Sequence, residues 1–141
     1  MARIAARWFA PPQPGDIVWS QFPEGRIPGP GPKSRPALVL RVGDAGGHPA
    51  VSVAYGTSQK VDRLYAGEFA ILPADGVAFA ASGLSYPTKF NLGETFDLDY
   101  NDIWFAVPSH APHGQTPRLG VLHPSLLRRA AAAAKAAAKA K

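Results

Sequence analysis

Lys33-Ser34-Arg35-Pro36-Ala37-Leu38-Val39-Leu40 joins a Pro/Gly-rich loop carrying two cations to an apolar run. A short apolar run bounded by turn residues fits a buried strand. The junction therefore holds a positive group at the edge of a packed core, a place where a phosphate can be gripped. Upstream, Asp16-Ile17-Val18-Trp19-Ser20-Gln21-Phe22 lies between Gly15 and Pro23 and is rich in β-branched and aromatic residues, so it reads as a first strand. Pro23 to Ser34 is a loop, because Pro28, Pro30 and Pro32 alternate with glycines and supply no donors to a sheet. Its length marks it as a candidate functional loop.

Pro36 to Val42 reads as the second strand, and Ala45-Gly46-Gly47 as the turn after it. Ala50 to Tyr55 alternates Val51, Val53 and Tyr55 with smaller residues, giving a third strand that ends at Gly56. These three form a meander in a small barrel. Thr57 to Arg63 is polar and loops out, while Glu68 to Leu72, Val77 to Ala81 and Thr88 to Leu92 are further strand candidates. The segment from Asp97 to Gly120 has no clear period and reads as an irregular cover. His123-Pro124-Ser125 opens an Ala/Lys-rich helix, with Pro124 suited to its first turn. Beyond Leu127 that helix has no apolar stripe bulkier than alanine, so its last turns are expected to be solvated and frayed.

The composition agrees with this outline. A chain of 141 residues, 46% apolar, fits one domain with a real core. Fifteen prolines and 14 glycines, set between short apolar runs, favour many short strands. We expect a mainly β domain over 15–122, a loosely held arm over 1–14, and a terminal α-helix and tail over 123–141. The absence of cysteine excludes a disulfide framework and fits a reducing cytoplasm. Arg3 and Arg7 precede no apolar signal core and no run is long enough to span a bilayer, so the reading is a soluble, cytoplasmic protein without membrane contact. The formal charge is +5, of which Lys135, Lys139 and Lys141 supply three; the body carries only +2, a weak preference for an anionic partner.

Several chemistries can be weighed on residue type. Gly25 to Ser34 superficially matches a nucleotide phosphate loop, but its prolines delete the donors such a loop needs and no helix follows. Asp97, Asp99 and Asp102 form a carboxylate cluster with no histidine at a ligand spacing; a solvated edge is the favoured reading over a metal site. His110 and His113 are an acid/base pair in principle, yet they lie in a Pro-rich stretch without a frame and read as satisfied or exposed histidines. Arg35 with Thr57 and Ser58 remains. Antiparallel neighbours joined by a turn bring the start of one strand beside the end of the next. A guanidinium and two hydroxyls would then converge on one rim and clamp a phosphodiester. A structural arginine beside a Thr/Ser turn accounts for the same residues equally well.

Gly15-Asp16-Ile17-Val18-Trp19, then Lys33 to Leu40 as quoted, then Thr57-Ser58 after the third strand, resemble in order and spacing the MazF/PemK family of toxin endoribonucleases from bacterial toxin-antitoxin modules. Gly83-Leu84 and Pro87-Thr88-Lys89-Phe90 are similar to later segments of some PemK-like members. The resemblance implies a partly open SH3-like β-barrel, a homodimer, an antitoxin partner, and cleavage of single-stranded RNA without metal or cofactor, through a 2′,3′-cyclic phosphate. It places Arg35 and Thr57 as the catalytic pair, with Lys33, Ser58, Gln59 and Lys60 as substrate contacts and Phe22 or Tyr55 as surfaces on which bases stack. The other reading is a non-catalytic SH3-like module that uses the same rim to bind nucleic acid or protein.

Overall fold

A computed structural model describes residues 5–21 and 34–140. The chain forms strands β1 (Asp16–Gln21), β2 (Ser34–Ala45), β3 (His48–Thr57) and β4 (Glu68–Ile71), a 3-10 turn at Pro73–Asp75, helix α1 (Val77–Ser82), strands β5 (Thr88–Asp99) and β6 (Arg118–Val121), and, after a second 3-10 turn, helix α2 (Leu127–Ala140). The six strands make one antiparallel sheet in the order β4-β5-β3-β2-β1-β6. It is mainly β, not closed, with a terminal helix, as the sequence predicts. The meander β1-β2-β3 occupies its middle.

The hairpin between β2 and β3 follows from its turn residues. Ala45 pairs with His48, leaving Gly46 and Gly47 as a two-residue loop with φ of 65° and 89°. Two positive φ values define the turn whose twist matches that of the flanking strands, and glycine adopts them without a steric cost. Asp44 Oδ2 accepts the Gly47 N–H at 3.2 Å and helps close it.

Alternation along β2 and β3 divides the apolar residues between two cores. Val18, Ala37, Val39, Val51 and Val53 face one side and are covered by Phe9, Leu98, Tyr100 and Phe105. Ile17, Leu38 and Ala54 face the other, against Phe69, Ile71, Phe90 and the two helices. Residues read as an arm supply part of the first cover: Phe9 is buried and its N–H donates to Tyr100 O at 3.1 Å, while Trp8 stacks on His48 with ring centroids 4.1 Å apart. Burial pushes the Tyr100 hydroxyl well above its ordinary range; the charge of Asp16 adds to this and Arg118 opposes it.

Four segments differ from the sequence expectation. Arg118–Val121, at the end of the stretch read as an irregular cover, is strand β6, because it pairs with β1 from Asp16 to Val18. Val77 to Ser82 is a helix, not a strand, because the turn before it sets up a helical start: Asp75 Oδ2 accepts the Leu72 N–H at 2.7 Å, and the Ala80 N–H then donates to Gly76 O at 3.0 Å. β5 runs on to Asp99, since Thr95 to Asp99 pair with Ala54 to Ala50 after a register shift. α2 is not frayed over its described length. Ala130, Ala133 and Ala137 are spaced at helical intervals and buried, with Ala130 and Ala133 in the second core; small side chains let the helix approach the sheet closely. Arg129 fixes it further, donating to Ala70 O and, through both terminal nitrogens, to Asp75 at 2.9 and 3.1 Å. Among the described residues no helix is long and apolar enough to cross a membrane.

Candidate functional site

Arg35 is the second residue of β2 and Thr57 the last of β3. The two strands are antiparallel, and their pairing at this end begins with Ala37 and Tyr55. Two residues further along each strand, Arg35 and Thr57 both line a cleft of about 810 Å³. That size lies within the range of small-ligand sites. The start of one strand and the end of its neighbour do meet on one rim.

Arg35 is held on both sides. On β1, Ser20 pairs with it and donates its hydroxyl to Arg35 O at 2.8 Å. On β3, the Tyr55 ring centroid lies 5.3 Å from the guanidinium carbon, close enough for a cation–π attraction. By strand alternation Arg35 follows Val39 and Ala37 on the first core face, at the point where that face gives way to solvent. Among the described residues, no carboxylate pairs with it and none lines the cleft. A half-buried cation without a counter-charge leaves the site attractive to anions.

Thr57 Oγ1 accepts the Gln59 N–H at 3.2 Å. That hydrogen bond starts a turn of the kind a structural threonine makes, but it uses only an acceptor lone pair. The hydroxyl proton stays available to donate. Gly56, just before it, is packed so closely that an added Cβ would sit 2.8 Å from Phe90 Cε1 and 3.0 Å from Pro36 O. The backbone that presents Thr57 therefore lies directly on the second core.

The remaining predicted contacts separate. Ser58 lines the cleft with Arg35 and Thr57. Gln59 and Lys60 are exposed and outside its lining, because the chain turns away at Lys60, whose φ is 52°. Lys33 and Phe22 lie outside the described residues. Asp97 accepts a hydrogen bond from the Ser52 hydroxyl and Asp102 Oδ1 accepts the Arg7 N–H at 3.0 Å, so both carboxylates are engaged in the fold. Among the described residues no three metal-binding side chains converge.

Sequence reasoning missed two parts of the site. Lys89 pairs with Thr57 across β5 and is buried; its Nζ lies 2.9 Å from Glu68 Oε1 and 3.0 Å from Arg63 O. It ties the loop after Thr57 to the sheet, and losing either charge of such a buried pair would destabilise that region strongly. The far wall was also missed. Leu84, Ser85 and Tyr86 after α1 line the cleft together with Val107, Pro108, Ser109 and His110. No family model matches the chain. A search of the curated proteins finds no match either.

Proposed function

We propose that the protein is the toxin of a toxin-antitoxin module, an endoribonuclease of MazF/PemK type that cuts single-stranded RNA without a metal ion. The observation that carries this reading is the convergence of Arg35, Thr57 and Ser58 on one cleft that, among the described residues, no carboxylate lines. A phosphodiester placed there meets a planar guanidinium suited to two-point hydrogen bonding and a threonine hydroxyl with its proton free to donate. The ribose 2′-oxygen attacks the adjacent phosphorus, giving a 2′,3′-cyclic phosphate and a 5′-hydroxyl end. Arg35 stabilises the charge that builds on the phosphoryl oxygens, and Thr57 orients the group. A guanidinium holds its protons too tightly to act as a base, so its role is electrostatic.

On this reading the protein acts in the cytoplasm as a homodimer. A disordered acidic antitoxin segment covers the cationic rim and silences it. The test is to incubate purified protein with long single-stranded RNA in EDTA. Cleavage leaving cyclic-phosphate ends is expected, with losses of about 10²-fold or more in Arg35→Ala and in Thr57→Ala. Intact RNA across varied sequences would sink the proposal and leave the cleft as a binding site, the role of a non-catalytic SH3-like module.

A further inference from the structure

We propose that His110 is a catalytic residue of this cleft, the general acid that protonates the 5′-oxygen as it leaves; the inference rests on the ribonuclease reading above. Residues 106–117 leave the sheet and return to it at a single residue. The Ala106 N–H donates to Trp19 O at 3.1 Å, and the Trp19 N–H donates to Pro117 O at 2.8 Å. Trp19 pairs with Pro36, next to Arg35. The loop is thus anchored next to the sheet position of Arg35. Between its ends it folds through two turns, closed by Ala111 N–H to Pro108 O at 2.8 Å and Gly114 N–H to Ala111 O at 3.0 Å, with Pro108 and Pro117 both buried. His110 lies in the first turn and lines the cleft. His113, in the second, does not.

The chemistry needs such a group. The lone pair of the 2′-oxygen forms the O2′–P bond, and the electron pair of the P–O5′ bond departs with O5′. The 2′-hydroxyl proton passes to solvent water, and an alkoxide leaving group needs a proton of its own. Arg35 holds its protons too tightly to supply one, and the hydroxyls of Thr57 and Ser58 are no better. Imidazole is the side chain suited to proton transfer near neutral pH. The imidazolium of His110 gives its proton to O5′ and regains one from solvent. Among the described residues, the other charged or titratable groups on the cleft walls are Arg35 from β2 and Tyr86 from the turn after α1.

The test uses the full chain and two RNAs: one natural, one with sulfur replacing the 5′-oxygen at the mapped cut. A thiolate leaves without a proton. His110→Ala and His110→Gln are expected to cut the natural RNA about 10²- to 10⁴-fold more slowly than wild type, and to lose the alkaline limb of its pH–rate profile. On the sulfur RNA both are expected within about tenfold of wild type, a recovery that a merely structural role would not produce. His113→Asn is expected to match wild type on both. His110 is exposed, so its replacement leaves the cores intact. Equal slowing on the two RNAs, or no slowing, overturns the role of His110 alone. Failure of the wild type to cut either RNA overturns the ribonuclease reading, and this inference with it.

Discussion

At the scale of single residues, the candidate site depends on a contact it does not use chemically. Gly56 lies between Phe90, Pro36 and Thr88, and a Cβ added there would meet its nearest neighbour at only 2.8 Å. Gly56→Ala is therefore expected to lower stability by about 1–3 kcal/mol, seen as a lower denaturation midpoint with an unchanged slope, whereas Thr57→Ala, at a half-buried edge, should move that midpoint little. Arg35 and Thr57 were legible because the alternation of β3 and the apolar run of β2 fix two neighbouring antiparallel strands, and geometry then brings their ends together. Gln59 and Lys60 fall outside the cleft lining where the Gln59 N–H to Thr57 hydrogen bond turns the backbone, and hydroxyl-driven turns leave only a faint trace in composition. His110 was read as unframed because its frame is two backbone bonds to Trp19, about ninety residues away in sequence, which no local pattern records.

At the scale of elements, α2 shows what alanine can do. A run of small residues looks solvated until a sheet close enough to use them is in place, and then every third or fourth alanine becomes a contact. Ala133→Leu is expected to cost about 1–3 kcal/mol through overpacking, while Ala134→Leu, on the exposed side, should stay within about 0.5 kcal/mol of wild type; thermal or chemical denaturation separates the two. The Asp75–Arg129 pair makes a pH prediction. The hydrogen bond from Arg129, then that from the Leu72 N–H, hold the Asp75 carboxyl below its ordinary 3.8, with burial opposing them. A lowered folded pKa stabilises the fold above the unfolded value and is lost as pH falls through the folded one. The stability of the wild type should therefore drop more steeply than that of Asp75→Asn as pH is taken below about 4, while near neutrality the variant is less stable by roughly 0.5–1 kcal/mol, the size expected of a partly exposed pair. α1 escaped the sequence reading for a related reason: five residues of Val, Ala and Phe before Ser82 suit either period, and the preceding 3-10 turn settles the matter.

At the scale of the molecule, the basic charge and the cleft lie apart. α2, which carries Lys135 and Lys139, contributes no residue to the lining of the cleft that holds Arg35. Affinity for single-stranded RNA is expected to fall with salt by a slope of about −0.7 per phosphate contacted. Arg35→Ala should reduce the magnitude of that slope by about 0.7, one phosphate contact, and a Lys135→Ala/Lys139→Ala double variant should leave both slope and cleavage rate unchanged. Titrations at several salt concentrations decide this. The fold class was legible because proline and glycine break the chain into apolar runs of strand length; the two-sided core was not, because which residues cover a sheet is a property of the assembled chain. Trp8 and Phe9 illustrate it, lying in a stretch without periodicity and docking through Asn101 and Tyr100.

A sheet that does not close leaves two rims of unpaired backbone. Among the described residues those rims belong to β4, where Arg129 takes up Ala70 O, and to β6, each four residues long, while the twelve-residue β2 and β5 are both internal. Each rim also carries a charged residue, Glu68 on one and Arg118 on the other. Short, charged borders are poor templates for further strands. Strand addition would gain few hydrogen bonds at either border, so the architecture resists runaway polymerisation at high concentration and directs recognition to its faces and its cleft.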